Sequence, residues 1–369
     1  MNQLFRWDQM GLFLLALAAG ILPFAVPEVC AAALREGLTL CSGPLLLSLF
    51  PFLVVSRLLV QCPESDLLAL PFRLAAWGIG IRTPCAARVL CIGFLGGFAP
   101  AASAAAQAVR TGQLTAEEAD ALLPACICSG PSFVVLTVGQ SLLGSVELGV
   151  LLFASQITAN YLTAALLNRF AGVRSVKPGS AAPASPAPPR LDEILADAAI
   201  TYCKLCGFIL FFRMLAAGAG ALLPAGADTL CAILLEVCSG CDLASRTGRW
   251  GSLLCCAALS VQGLSVLLQV RTICPPEMTL RPLYRARMLH LPLSLALFYL
   301  LLPGGEADVF STLSARVLLM RRVPPDCALL VFAVCCMAAC TLRSGIRQVE
   351  QKQMARNAGG CCINSKTLL

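Results

Sequence analysis

The chain has 369 residues, 58% hydrophobic and 13% charged, with a mean hydropathy of +0.81 and a formal net charge of +7. One soluble core cannot bury that much apolar surface, so a soluble globular fold is excluded and an all-α polytopic membrane protein is expected. Most of the basic excess falls in one linker and in the C-terminal tail, as membrane topology requires, and so gives no reason to expect a nucleic-acid partner.

In chain order, charge-free runs cover residues 10–26, 37–56, 89–109, 121–146, 148–168, 251–270 and 288–305. Each reaches or approaches the roughly 20 residues that a bilayer-crossing helix needs. Three further segments are less clean. Residues 198–227 are apolar apart from Lys204 and Arg213, residues 229–240 are short and contain Glu236, and residues 327–342 are short and precede a basic tail. The expectation is about eight transmembrane helices with re-entrant or broken half-helices. Arg6 ahead of the first run and Ala31-Ala32-Ala33 after it resemble a signal peptide, but further spans follow directly, so an uncleaved first helix is expected.

A Pro/Ala-rich stretch, Gly179 to Pro189, lacks apolar periodicity and reads as an extended linker. It divides the chain into an N-terminal membrane half (1–170), a linker (171–192), a C-terminal membrane half (193–345) and a basic tail (346–369). Arg169, Arg174, Lys177 and Arg190 precede the first linker acid, Asp192. The tail carries Arg343, Arg347, Lys352, Arg356 and Lys366 against Glu350. The positive-inside rule puts linker and tail in the cytoplasm.

Two apolar segments are interrupted at corresponding places in the halves, at Ser129-Gly130-Pro131-Ser132 and at Gln262-Gly263-Leu264-Ser265. Broken helices repeated in two halves point to a transporter's binding site, because unpaired backbone is tolerated at membrane depth only where protein or a water-filled cavity covers it. Proline suits a first helical position, and a half-helix starting at Pro131 offers hydroxyls and N–H groups to an anion. Gln262, Gly263, Ser265 and Gln269 form the matching polar set. Gly96-Gly97 precedes the first break as Glu236-Val237-Cys238-Ser239-Gly240 precedes the second, which reads as two repeat-like halves, although residues 111–120 have no counterpart. Glu236 facing lipid would cost about 3 kcal/mol, so it is expected to face the bundle interior. There it acts as a proton-carrying group, a static cap, or the ion-pair partner of Lys204 or Arg213. With Ser239 and Gly240 it joins the candidate site.

The remaining polar residues read more plainly. Lys204 and Arg213 are nine apart, hence on opposite helix faces. His290 beside Arg287 reads as a packed residue near a membrane interface, and Gln156 and Asn160, four apart, as a bridge between helices. The 21 cysteines lie mostly in apolar segments, where a thiol is a small hydrophobe. Gly93-Phe94-Leu95-Gly96-Gly97 reads as close helix packing or a re-entrant bend. No phosphate-binding loop, nucleophile elbow or zinc-protease motif is present, so no enzyme activity, cofactor or metal is expected.

Phe50-Pro51-Phe52, Gly96-Gly97 with Pro100, Thr111 to Ala119, and Ser129 to Phe133 resemble the sporulation integral membrane protein YlbJ family. Leu235 to Gly240, Leu259 to Val266 and Arg287-Met288-Leu289-His290 are similar to that family's C-terminal pattern. The resemblance spans about residues 40 to 302. It implies nucleoside-recognition (gate) domains related to those of spore maturation proteins and concentrative nucleoside transporters. It further implies a place in the bacterial cell membrane or outer forespore membrane, and transport of a small anionic solute, dipicolinate. A non-transporting sporulation scaffold and a nucleoside transporter are the alternatives. The implied partners are the solute, the lipid bilayer, and a second copy of the chain or other sporulation membrane proteins. The cysteine richness, Lys204 and Arg213 depart from the family pattern.

Overall fold

The structure is a computed structural model that describes residues 2–61, 68–171, 191–224 and 226–302. Residues 172–190 of the expected linker, the segment 327–342 and the basic tail lie outside them. Every regular element among the described residues is helical: α1 (Asn2–Ala25), α2 (Pro27–Ser42), α3 (Pro44–Gln61), α4 (Leu70–Gly78), α5 (Pro84–Gly96), α6 (Phe98–Arg110), α7 (Ala116–Cys126), a π-helix (Ser132–Leu142), α8 (Val146–Ala171), α9 (Leu191–Gly220), α10 (Ala227–Leu235), α11 (Val237–Ser245), α12 (Gly251–Val261), α13 (Gly263–Ile273) and α14 (Arg281–Leu301). Among the described residues two stretches are long and apolar enough to cross a bilayer unbroken, α8 and α9. A third, Gly248–Ile273, qualifies as a span that includes the α12–α13 break. Residues Phe13–Ala25 and Pro27–Ser42 add a fourth when taken as one span bent by 111°. These are the helices of an all-α membrane protein.

The apolar runs read from sequence as whole crossings are divided in a regular way. The run 37–56 splits at Gly43, ahead of Pro44, and the run 89–109 splits at Gly97. The run 121–146 splits between Cys126 and Ser132, and Glu236 separates α10 from α11. Gln262 ends α12 in the left-handed region (φ 62), with Gly263 (φ 70) opening α13. Sequence alone singled out two breaks, at 129–132 and 262–265, and left Gly97 as either close packing or a bend. Among the described residues these runs show five, and four of them, all but the one at Gly43, pack in pairs. Glu236 was placed inside a short apolar segment, whereas it is the extended residue between two nine-residue helices.

Around the breaks, small residues allow backbones to meet. α6 buries Ala99, Ala101, Ala102, Ala104, Ala105, Ala106 and Ala108. Without a hydrophobic drive between helices in lipid, close backbone approach at such residues is what holds them together. The connection carrying Thr111 to Glu118 is ordered by a capping box: Thr115 Oγ1 accepts from the Glu118 amide, and the Glu118 carboxylate accepts from the Thr115 amide. Thr83 donates to the same carboxylate, and Arg88 donates to Gln113. Asp120 reaches across to accept from Thr279 N, Thr279 Oγ1 and Leu280 N, which fixes the left-handed Leu280 ahead of α14.

Candidate functional site

The four breaks pack in two pairs. At the first, a Cβ on Gly97 (φ 81, ψ −163) would lie 2.6 Å from the Gly130 amide nitrogen, so only glycine lets the α5–α6 break touch the break after α7. At the second, a Cβ on Gly263 would lie 2.9 Å from both the Glu236 nitrogen and the Leu235 carbonyl carbon. Gly240 meets Ile233 in the same way, closing α11 against α10.

Both pairs face one cavity of about 50 Å3. Ser129, Gly130, Ser132 and Phe133 line it from the first half, and Glu236, Val237, Cys238, Val266 and Gln269 from the second, with Gly96 and Phe98 beside them. Five of the residues singled out from sequence therefore meet at one place: Ser129, Gly130, Ser132, Glu236 and Gln269. The others support it from behind. Pro131 (φ −59) leads into the π-helix, and Ser265 accepts a hydrogen bond from Gln269 Nε2 at 2.9 Å. Gly263 and Gly240 make the close approaches just described. Gln262 is fully buried, and neither amide atom has a hydrogen-bond partner among the described residues.

Glu236, 2% exposed, caps the half-helix that follows it. Its carboxylate accepts from Cys238 N at 2.8 Å, Ser239 N at 2.7 Å and Ser239 Oγ at 2.8 Å. A charge on the positive end of a helix, bonded to its free N–H groups, is stabilised even where water is excluded. Of the roles open from sequence, the static cap is the one the geometry displays, and Ser239 serves the cap rather than the cavity. Arg213 instead forms an ion pair with Glu36 of α2 at 2.6 Å, while Lys204 is exposed. The two basic residues do lie on different faces of α9, but Glu236 bonds to neither.

Sequence reasoning missed Arg287. It stands in α14 only 8% exposed and donates through Nη2 to the Ile127 carbonyl and through Nη1 to the Ser260 carbonyl at 3.3 Å. Those carbonyls close the C-terminal ends of α7 and α12, the half-helices leading into the two glycine breaks. A guanidinium there meets the negative ends of two helices at once and satisfies backbone that the breaks leave open. Asn160 donates to the same Ile127 carbonyl at 3.2 Å, and Gln156 donates to Ser260 Oγ at 2.9 Å and to the Cys256 carbonyl at 3.2 Å. Both were read as helix bridges, and both bridge. His290 is packed, as its sequence context suggested, and it is buried in this network, with Nε2 3.2 Å from the Gln156 carbonyl and Nδ1 without a partner among the described residues. The signal available in sequence was the Arg287-His290 spacing, which puts both on one face of α14 with Ser294.

The fourteen described cysteines are free thiols. Among the described residues no three His, Cys, Asp or Glu side chains come together in a way that could hold a metal ion.

No family model, curated protein or solved structure matches this chain.

Proposed function

We propose that this protein is a carrier for a small anionic solute. The observation that supports it is that breaks from both halves of the chain face one buried, partly polar cavity. A scaffold has no need of such a place, since each break costs backbone hydrogen bonds that Arg287, Asn160 and Glu236 must then replace. On this reading the element order is an internal repeat. The first unit runs through α5–α6, α7 with the π-helix, and α8, and the second through α10–α11, α12–α13, and α14. Taking the broken pairs as broken or re-entrant spans gives about eight membrane passages, in keeping with the gate-domain architecture that the motifs resemble.

The anion belongs at the start of the π-helix. There Ser129 and Ser132 bring hydroxyls to the cavity and the first helical N–H groups lack intrahelical carbonyls. The corresponding end of α11 is already taken by the Glu236 carboxylate. A cavity of about 50 Å3 is far below the roughly 300–1,000 Å3 of ordinary ligand pockets, so it must widen to admit a solute. Transport requires the crossed breaks to part. Dipicolinate, a planar dicarboxylate, is the substrate we propose, in the membrane of a sporulating bacterium. Vesicles containing the protein are expected to accumulate labelled dipicolinate, and Gly130→Leu, which fills the cavity, is expected to stop accumulation at unchanged membrane abundance. Normal uptake by that variant would remove the cavity from the transport path.

A further inference from the structure

One side-chain oxygen at the cavity has no hydrogen-bond partner among the described residues. Gln269 is 1% exposed and lines the cavity. Its Nε2 donates to Ser265, which leaves Oε1 buried without a partner among the described residues. An unpaired buried amide oxygen is costly and calls for a donor or a cation. Glu236 lines the cavity too; its Oε1 accepts from Cys238 N, and the Cys238 thiol also bonds to this carboxylate. Gly96, the last residue of α5, also lines the cavity. Its carbonyl would ordinarily accept from the amide four residues on, but that residue is Pro100, which has no N–H. The Gly96 oxygen lies 3.3 Å from the place a Cβ would take on Gly130, and so at the break itself. The Ser129 hydroxyl completes the set.

We propose that these four groups, the Glu236 carboxylate, Gln269 Oε1, the Gly96 carbonyl and Ser129 Oγ, form a sodium site. All are hard oxygen ligands and one carries charge. That composition suits a monovalent ion, because divalent oxygen sites usually draw on more carboxylates. The volume is enough for a small ion together with water. Carbonyls at the C-terminal ends of half-helices are favourable places for a cation, as the N-terminal ends are for an anion. A sodium ion here also offsets the Glu236 charge, which otherwise repels an anion arriving at Ser129 and Ser132.

This inference deepens the carrier reading and rests on it only for the ion's coupling role, because sodium binding is measured without any solute. The test is equilibrium binding of radioactive sodium to the purified protein in detergent, with choline chloride holding ionic strength constant. Saturable binding of one sodium per chain is expected, with potassium competing at least tenfold more weakly. Gln269→Leu is expected to lower the affinity at least tenfold and Ser129→Ala severalfold, both in protein that remains monodisperse. Glu236→Gln also weakens the α11 cap, so Gln269→Leu decides the case. No saturable binding by folded protein, tighter binding of potassium, or unchanged affinity in Gln269→Leu would each overturn the site. Sodium binding without dipicolinate uptake would leave the site standing and refute the solute assignment instead.

Discussion

Replacing Gly97 with alanine tests the crossed-break geometry where it is tightest. Its φ of 81 and ψ of −163 fall in a region essentially reserved for glycine, where another residue carries strain of about 1–3 kcal/mol. The added Cβ would lie 2.6 Å from the Gly130 nitrogen and 3.0 Å from its Cα, both backbone atoms, so no side chain can swing away. Overpacking of that kind adds about 1–3 kcal/mol. Gly130→Ala is the internal control. Its Cβ would meet the Gly96 oxygen at 3.3 Å and the Gly97 nitrogen at 3.5 Å, and Gly130 has no positive φ, so a cost near 1 kcal/mol is expected. The buried free thiols supply the assay, because a thiol-reactive dye reports their exposure as the purified protein is heated. Gly97→Ala should melt well below both the parent and Gly130→Ala. Equal melting of the two variants would refute the claim that the breaks touch at these glycines.

Three further outcomes follow from the same contacts. Glu236→Leu removes three hydrogen bonds to the start of α11 and should destabilise by roughly 2–4 kcal/mol, with Glu236→Gln intermediate; thermal unfolding of both variants checks the order. Arg287→Met leaves the Ile127 and Ser260 carbonyls without their guanidinium donor and should cost about 2–4 kcal/mol, read as faster labelling of the buried Cys128 at a temperature where the parent is protected. Gln262→Met replaces an amide with no partner by an apolar chain of similar size, so stability should hold or rise; a clear loss in thermal unfolding would mean that the amide has a partner.

Features written in local sequence were legible: the breaks at Gly130 and Gly263 follow from glycine and proline inside apolar runs, and Glu236 stood out as a charge too costly to face lipid. The pairing of Gly97 with Gly130 and of Glu236 with Gly263 was not legible, because it depends on which backbones approach one another across the fold. Arg287 was passed over for a related reason. An arginine seven residues into a helix reads as an interface residue, and only the folded chain shows two carbonyl ends converging on it. Counting crossings from apolar runs likewise treats each run as one helix, whereas Gly43, Gly97 and Glu236 divide three of them. Arg213 shows the opposite case, in which helical spacing separated it correctly from Lys204 but could not name Glu36 as its partner.

Uptake of labelled dipicolinate into proteoliposomes carrying an inward sodium gradient tests the central claim most directly. The account predicts accumulation that collapses when the gradient is dissipated and is lost in Gly130→Leu at equal protein incorporation. No accumulation under sodium, potassium or proton gradients, or undiminished accumulation by Gly130→Leu, would contradict it.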